Sequence, residues 1–143
     1  MNKSLPDKEV RKAIFTAFDG TVVSTKTINV FDSLYPTTST NDSAYVLMTA
    51  QGNDTDNNKC DSYWNHDILL EVAVWYKGTG NPGSGVLADD ILDSLRNTLK
   101  DGLTLGGGLT QQSQVMTFPN DIVSNLPNGT LIRKFMRLEM RIN

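Results

Sequence analysis

The stretch that decides the fold reads His66-Asp67-Ile68-Leu69-Leu70-Glu71-Val72-Ala73-Val74-Trp75-Tyr76, and a glycine-rich bend follows it over residues 78–85. Apolar side chains occupy every second position over residues 68–76, which is the period of a β-strand. The positions between them carry acidic, small and large apolar residues: Asp67, Leu69, Glu71, Ala73 and Trp75. We therefore predict a long amphipathic strand, which is typical of an antiparallel sheet.

The bend after this strand can be interpreted in two ways. Gly78-x-Gly80-x-x-Gly83 matches the fingerprint that binds a dinucleotide between a parallel strand and a helix. That site needs a short buried strand and an acidic residue about 20 positions further on, whereas here the strand is long and Asp101 follows a helix. Pro82 also lacks the amide hydrogen that a phosphate would use. We favour a flexible connection, and a small nucleotide-binding enzyme is the less favoured alternative.

The other periodicities predict two helices and several further strands. Residues 4–18 and about 85–100 carry apolar stripes at helical spacing. The remaining predicted strands are residues 27–31, 45–49, 109–118 and 131–142, with loops at 52–63 and 119–129. We predict a single α+β domain over residues 1–143, in which two helices pack on one face of a largely antiparallel sheet of about 4–5 strands.

The composition is that of a globular domain and excludes several functional classes. Hydrophobic residues make up 38% and charged residues 20%, and no apolar run approaches the about 18 residues of a membrane span. The first residues lack the apolar stretch of a secretory signal. A net charge of −3 argues against tight nucleic-acid binding as the main task. The charge is uneven, because residues 131–143 hold four basic side chains and Glu139.

No pattern predicts a catalytic, metal-binding or cofactor-binding site. Residues 54–61 begin like a calcium loop, but Lys59 stands where glycine is required and Asn65 where a glutamate is required. Cys60 is the single cysteine and His66 the single histidine, which excludes an internal disulfide and a histidine-based metal cluster and favours a reducing compartment. His66 beside Asp67 has the chemistry of a base, but we predict a hydrogen-bonded surface histidine.

The second face of the sheet, opposite the helices, is the candidate interaction surface. Its residues are Leu69, Glu71, Ala73, Trp75, Leu131, Arg133, Phe135, Arg137 and Arg141. Aromatic residues mixed with arginine are enriched at protein–protein interfaces. We predict that Trp75, Arg133, Phe135, Arg137 and Arg141 contact other subunits or partners. The alternative is that loops of the same chain cover this face.

The whole chain resembles small phage tail-completion proteins, also called tail terminators. The resemblance rests on residues 10–18, 28–32, 45–48 and 74–77, the second helix, and the closing strand Phe135-Met136-Arg137-Leu138-Glu139-Met140-Arg141. It implies an α+β fold, a hexameric ring and no enzymatic activity. It also implies a virion protein, assembled in the bacterial host cytoplasm, whose ring stops growth of the tail tube and docks to neck or head-completion proteins.

The implied partners are further copies of the chain, the tail tube protein and the neck proteins, with no membrane and no cofactor. DNA would pass through the ring without specific binding, which suits an acidic chain. Residues 53–61 and 106–130 depart from the family pattern, so another neck ring, such as a head–tail stopper, is the alternative. We expect the loops near Asn53 and Gly80 to be mobile in the free protein and to order against neighbouring rings.

Overall fold

Two helices and seven strands follow one another in the computed structural model, which describes residues 5–32, 43–57, 62–77, 84–127 and 129–143. They are α1 (Pro6–Phe18), β1 (Thr21–Val23), β2 (Lys26–Asp32), β3 (Ser43–Asn57), β4 (Ser62–Lys77), α2 (Ser84–Leu99), β5 (Gln111–Thr117), β6 (Ile122–Leu126) and β7 (Gly129–Ile142).

All seven strands belong to one curled sheet. Its order is β1-β2-β3-β4-β7-β5, and β6 also pairs with β7. Every pairing is antiparallel except β2 with β3. β5 pairs with residues 137–142 of β7 and β6 with residues 129–133, so these two strands lie end to end along the same edge.

Both helices cover the same face of the sheet, as the sequence predicts. In α1 the buried positions Val10, Ile14 and Phe18 recur at helical spacing, and in α2 the same spacing buries Ala88, Ile91, Leu95 and Leu99. They pack against alternate residues of β4 and β7: Ile68, Leu70, Val72, Val74, Ile132, Met136, Leu138, Met140 and Ile142. This helix-covered face is the main hydrophobic core.

The end of α1 fixes the position of β2. Gly20 has a positive φ of 80°, which glycine adopts without steric cost, and the helix ends there. The Gly20 amide then donates to the Ile28 carbonyl over 2.9 Å. One residue earlier, the Asp19 carboxylate accepts a 2.8 Å hydrogen bond from the Val30 amide. The helix terminus therefore holds the strand that pairs with β3.

A β-bulge in β3 reverses which residues face the helices. The register with β4 shifts by one residue between Met48 and Gln51. Odd-numbered residues of β3 face away from the helices before the bulge, and towards them after it, because side chains alternate along a strand. At the bulge the Thr49 hydroxyl donates to the Leu69 carbonyl at 2.7 Å, and the Thr49 carbonyl accepts from Arg11 Nη2 at 3.2 Å.

The prediction of about 4–5 strands is wrong in number and in part of its pairing. The described sheet has seven strands, and β2 runs parallel to β3. β1 was missed because it is three residues long, too short for a periodic pattern. β6 lies inside the predicted loop 119–129, and β3 extends through the polar residues 52–57, which pair with β4 rather than form a loop.

Candidate subunit interface

The second face is built from β4 and β7, which pair along fourteen residues. Their register places Leu69 opposite Arg137, Glu71 opposite Phe135, Ala73 opposite Arg133 and Trp75 opposite Leu131. Alternation then turns all of these side chains away from the helices. The five residues predicted as contacts therefore share one face. They do not form one cluster, because Arg141 lies opposite Asn65, ten positions or roughly 33 Å along the strand from Trp75.

The aromatic part of the second face is largely buried by the chain itself. Trp75 and Phe135 each keep 9% of their surface exposed. Tyr45, Leu47 and Ala73 form a second, smaller hydrophobic cluster, with Phe31 and Leu131 packed against it. The rings of Phe31 and Tyr45 meet edge to face at 5.8 Å. The two predicted aromatic contacts thus offer little area to a partner while the chain is in this conformation.

A buried ion pair joins the two strands beneath this aromatic layer. Glu71 is fully buried, and its Oε1 accepts from Arg133 Nε at 2.8 Å and from Nη2 at 2.6 Å. The same guanidinium lies 5.6 Å from the centroid of the Phe135 ring, a cation–π contact. Within the described residues, Glu71 Oε2 has no hydrogen-bond partner, so the carboxylate depends on Arg133. Arg133 is therefore first of all a structural partner of Glu71.

The charge on the second face changes along the strands. Towards the Trp75 end of the pairing Arg133 is neutralised by Glu71, and the exposed Arg137 lies near the middle, opposite Leu69. At the other end Asp67 lies directly opposite Glu139, and Asp54 borders the same shallow hollow. Arg141 also borders this hollow, and its guanidinium stands 4.2 Å from the centroid of the Tyr63 ring. The face therefore presents to any partner an exposed arginine near its middle and, at one end, three carboxylates with Arg141 among them.

His66 is not the surface residue that the sequence predicts, because it is 1% exposed. Gln51 Nε2 donates to His66 Nε2 at 3.0 Å and to the Asp7 carbonyl at 3.0 Å, while Gln51 Oε1 accepts from Arg11 Nε at 2.5 Å. His66 Nε2 is thus the acceptor, and the imidazole proton sits on Nδ1, which donates to the Asn53 amide oxygen. The Asn53 amide nitrogen in turn donates to the Asp7 carboxylate.

This network ties α1 to the end of the core and keeps His66 neutral. Burial lowers the pKa of His66 below its ordinary value of 6.5, and Arg11 lowers it further. Asp7 and Asp67 act in the opposite direction but do not prevail. The sequence did contain a signal for this burial, because His66 has the same parity as Ile68 and Leu70 and so belongs to the helix-covered face. The histidine acts as a structural hydrogen-bonding residue.

The two ligand-binding motifs weighed in the sequence find little support in the geometry. Residues 78–83 lie outside the described part of the chain. The strand before them, β4, lies between β3 and β7 and is antiparallel to both, whereas a dinucleotide site requires parallel neighbours. Residues 54–57 of the calcium-like stretch belong to β3, and 58–61 lie outside the described residues. Among the described residues, no three histidine, cysteine, aspartate or glutamate side chains are grouped to hold a metal ion.

Comparison with known proteins identifies a structural relative. No protein-family model and no curated protein matches the chain. Among solved structures, a chain of the "virion of native gene transfer agent (GTA) particle" has a similar fold, with a TM-score of 0.60 and 13% sequence identity. The match covers 94% of this chain and 96% of that one. The shared property is the fold.

The structural comparison with the virion chain concerns the overall fold and identifies no shared surface. Neither of the two described helices is long and apolar enough to cross a bilayer.

Proposed function

We propose that the chain is a structural virion protein that forms a ring at the top of a phage tail. In this role it ends tail-tube assembly and joins the tail to the neck or head. The observation that carries the proposal is the fold shared with a chain of a gene transfer agent virion over nearly the whole of both proteins. The sequence resemblance to tail terminators supports the same role independently of the coordinates.

The second face supplies the chemistry for assembly. A ring requires a head-to-tail contact between two different patches, because only such contacts repeat and close around an axis. The second face adds charged groups that a partner can bind, because Arg137 is exposed and Asp67 and Glu139 lie opposite one another next to it. Arg137 is the exposed cation among the predicted contacts, so it is the first candidate for contacts with a neighbouring subunit, the tail tube protein or a neck protein.

The surroundings of a tail ring also suit the charge of this chain. DNA must move through the ring, and a protein that gripped phosphates tightly would hinder that movement. The net charge of −3 is consistent with a channel that repels rather than binds DNA. The proposal therefore includes passage of DNA without specific binding, and it includes no enzymatic activity, metal or cofactor.

Electron microscopy of virions tests the position. Gold labelling of a tagged chain should mark the junction between tail and head, and deletion of the chain should give headless tails of excessive length. Label at the neck combined with tails of normal length would instead indicate another neck ring, such as a head–tail stopper. Normal particles without the chain would refute the proposal.

A further inference from the structure

The outer edge of β7 is covered by two strands that themselves have no strand on their other side. β5 pairs with residues 137–142 of β7, and β6 pairs with residues 129–133. Within the described part of the chain, neither strand pairs with anything except β7. The β5–β6 edge, residues 111–126, is therefore a long sheet edge whose backbone groups point outward.

This edge carries almost no charge. Residues 102–132 include one charged residue, Asp121, where the average composition of the chain would give about six. Lys134 Nζ lies 3.0 Å from Asp121 Oδ2 and 2.5 Å from Asp89 Oδ1, so the single charge is already paired. Exposed strand edges are usually protected by lysines or other charges, which prevent a further strand from pairing. The β5–β6 edge lacks that protection.

Large apolar side chains are exposed along the same edge. They are Val115, Phe118, Ile122, Val123 and Leu126, each between 45% and 57% exposed. These five residues lie within twelve positions of the sequence, whereas the other large exposed hydrophobic residues of the described chain occur singly. Exposed apolar residues that are grouped in this way mark interaction sites.

The opposite edge of the sheet, formed by β1, is also poor in charge and, within the part of the chain that the structure describes, unpaired on its outer side. β1 pairs with β2 alone among the described strands, and residues 20–25 contain no charged side chain. Val22 is 63% exposed. Beside it on α2, Val86 is similarly exposed, and Ser24 Oγ lies 3.4 Å from Asp90 Oδ2, which places the β1 turn next to that helix. Both edges are thus poor in charge and expose apolar side chains.

We propose that the β5–β6 edge of one copy docks onto the β1 edge of a second copy. Lys134 pairs with Asp121, the one charged residue of the β5–β6 edge, and residues 20–25 carry no charge, so little repulsion opposes the contact, and both edges bury apolar side chains when they meet. The contact joins two different surfaces of the same chain, so it is head-to-tail and can close a ring. This inference rests on the proposed ring and names the surface through which neighbouring subunits meet.

The experiment places a lysine on each edge and on a matched position elsewhere. Ile122→Lys disables the β5–β6 edge, and Val22→Lys disables the β1 edge. Phe15→Lys is the control, since Phe15 lies on α1 and is 45% exposed, the same fraction as Ile122. Sedimentation velocity and native mass spectrometry report the oligomer, and circular dichroism with thermal unfolding shows that each variant is folded.

We expect rings from the wild-type chain and from Phe15→Lys, and monomers from each edge variant alone, with a loss of self-affinity of about tenfold or more. The decisive sample is the mixture of the two edge variants. Ile122→Lys keeps an intact β1 edge and Val22→Lys keeps an intact β5–β6 edge, so together they should form one-to-one pairs that cannot grow further.

Other results overturn the proposal in distinct ways. Rings of normal size from Ile122→Lys would show that subunits meet elsewhere, and the proposed virion role would stand. Pairing of Val22→Lys with itself, but not of Ile122→Lys, would indicate a symmetric β5–β6 contact instead. If both edge variants form rings but no longer bind tail tubes, the edge belongs to another virion protein. A wild-type chain that stays monomeric refutes the docking, while gold labelling of particles still decides the virion role.

Discussion

On the helix-covered face of β4, Ile68, Leu70 and Val72 pack against α1 and α2, whereas the intervening positions on the second face hold Leu69, Glu71 and Ala73. The first face is buried by apolar area that two helices supply. The second face has no described helix over it, and its buried part consists of a small hydrophobic cluster and one ion pair. Stability on the first face should therefore be spread over many residues, and on the second it should be concentrated in a few.

Removal of Arg133 should have the largest effect, because it leaves the buried Glu71 carboxylate without its cation. We expect Arg133→Met to lower the free energy of unfolding by about 3–5 kcal/mol. The double variant Glu71→Leu with Arg133→Met should recover most of that loss, because no buried charge remains. Urea unfolding measures both. A loss below about 1 kcal/mol in the single variant would mean that water reaches Glu71, and the contrast between the faces would fail.

A substitution at Gly129 tests the packing of the second face by steric overlap rather than by loss of a charge. A Cβ atom there would lie 2.2 Å from the Tyr76 carbonyl oxygen and 3.0 Å from the Trp75 ring. Gly129→Ala should lower the free energy of unfolding by about 1–3 kcal/mol and shift the fluorescence of Trp75. Gly85→Ala is the control, because a Cβ there meets nothing within 4 Å and α2 favours alanine. Equal stability of the two variants would show that the start of β7 is free to move.

The pH dependence of stability tests the polar end of the helix-covered face. The folded chain holds the pKa of His66 below 6.5, so the unfolded chain binds a proton first as the pH falls. The contribution of His66 is therefore complete above about pH 6.5 and is lost as the pH falls below it. His66→Gln should remove this part of the acid sensitivity, as shown by urea unfolding between pH 5 and pH 8. If the free energy of unfolding of wild type and of His66→Gln changed with pH in the same way, the assignment of His66 as a buried neutral histidine would be wrong.

Much of the fold was predictable because it follows from simple periodicities. The two helices, the long strand before the glycine bend and the closing strand all carry regular apolar patterns, and each is where the sequence places it. β1 and β6 were not predictable from pattern, because each is held mainly by backbone pairing with a longer neighbour and its residues are largely exposed. The parallel pairing of β2 with β3 depends on the chain between them, which no periodicity describes.

The candidate interface was predictable only in part, for a related reason. Alternation along β4 and β7 places all five predicted contact residues on one face, and the structure agrees. Alternation does not show which of these residues make their contacts within their own chain and so are not available to a partner. The Glu71–Arg133 pair depends on the register between two strands that bring together residues 62 positions apart in sequence, and the burial of Trp75 and Phe135 depends on what the folded chain places over them. Neither property can be obtained from one strand alone.

Arg137 should have the smallest effect on stability, and it gives the sharpest test of what the second face is for. It is exposed, so Arg137→Glu should change the free energy of unfolding by less than about 0.5 kcal/mol. Lys12→Glu makes the same change in net charge on the exposed side of α1 and serves as the control. We expect Lys12→Glu to assemble normally and Arg137→Glu to weaken attachment to tails or neck proteins, as measured by native mass spectrometry and electron microscopy. If both assemble like the wild-type chain, the exposed arginine has no role in contacts, and the second face serves the fold of the single chain alone.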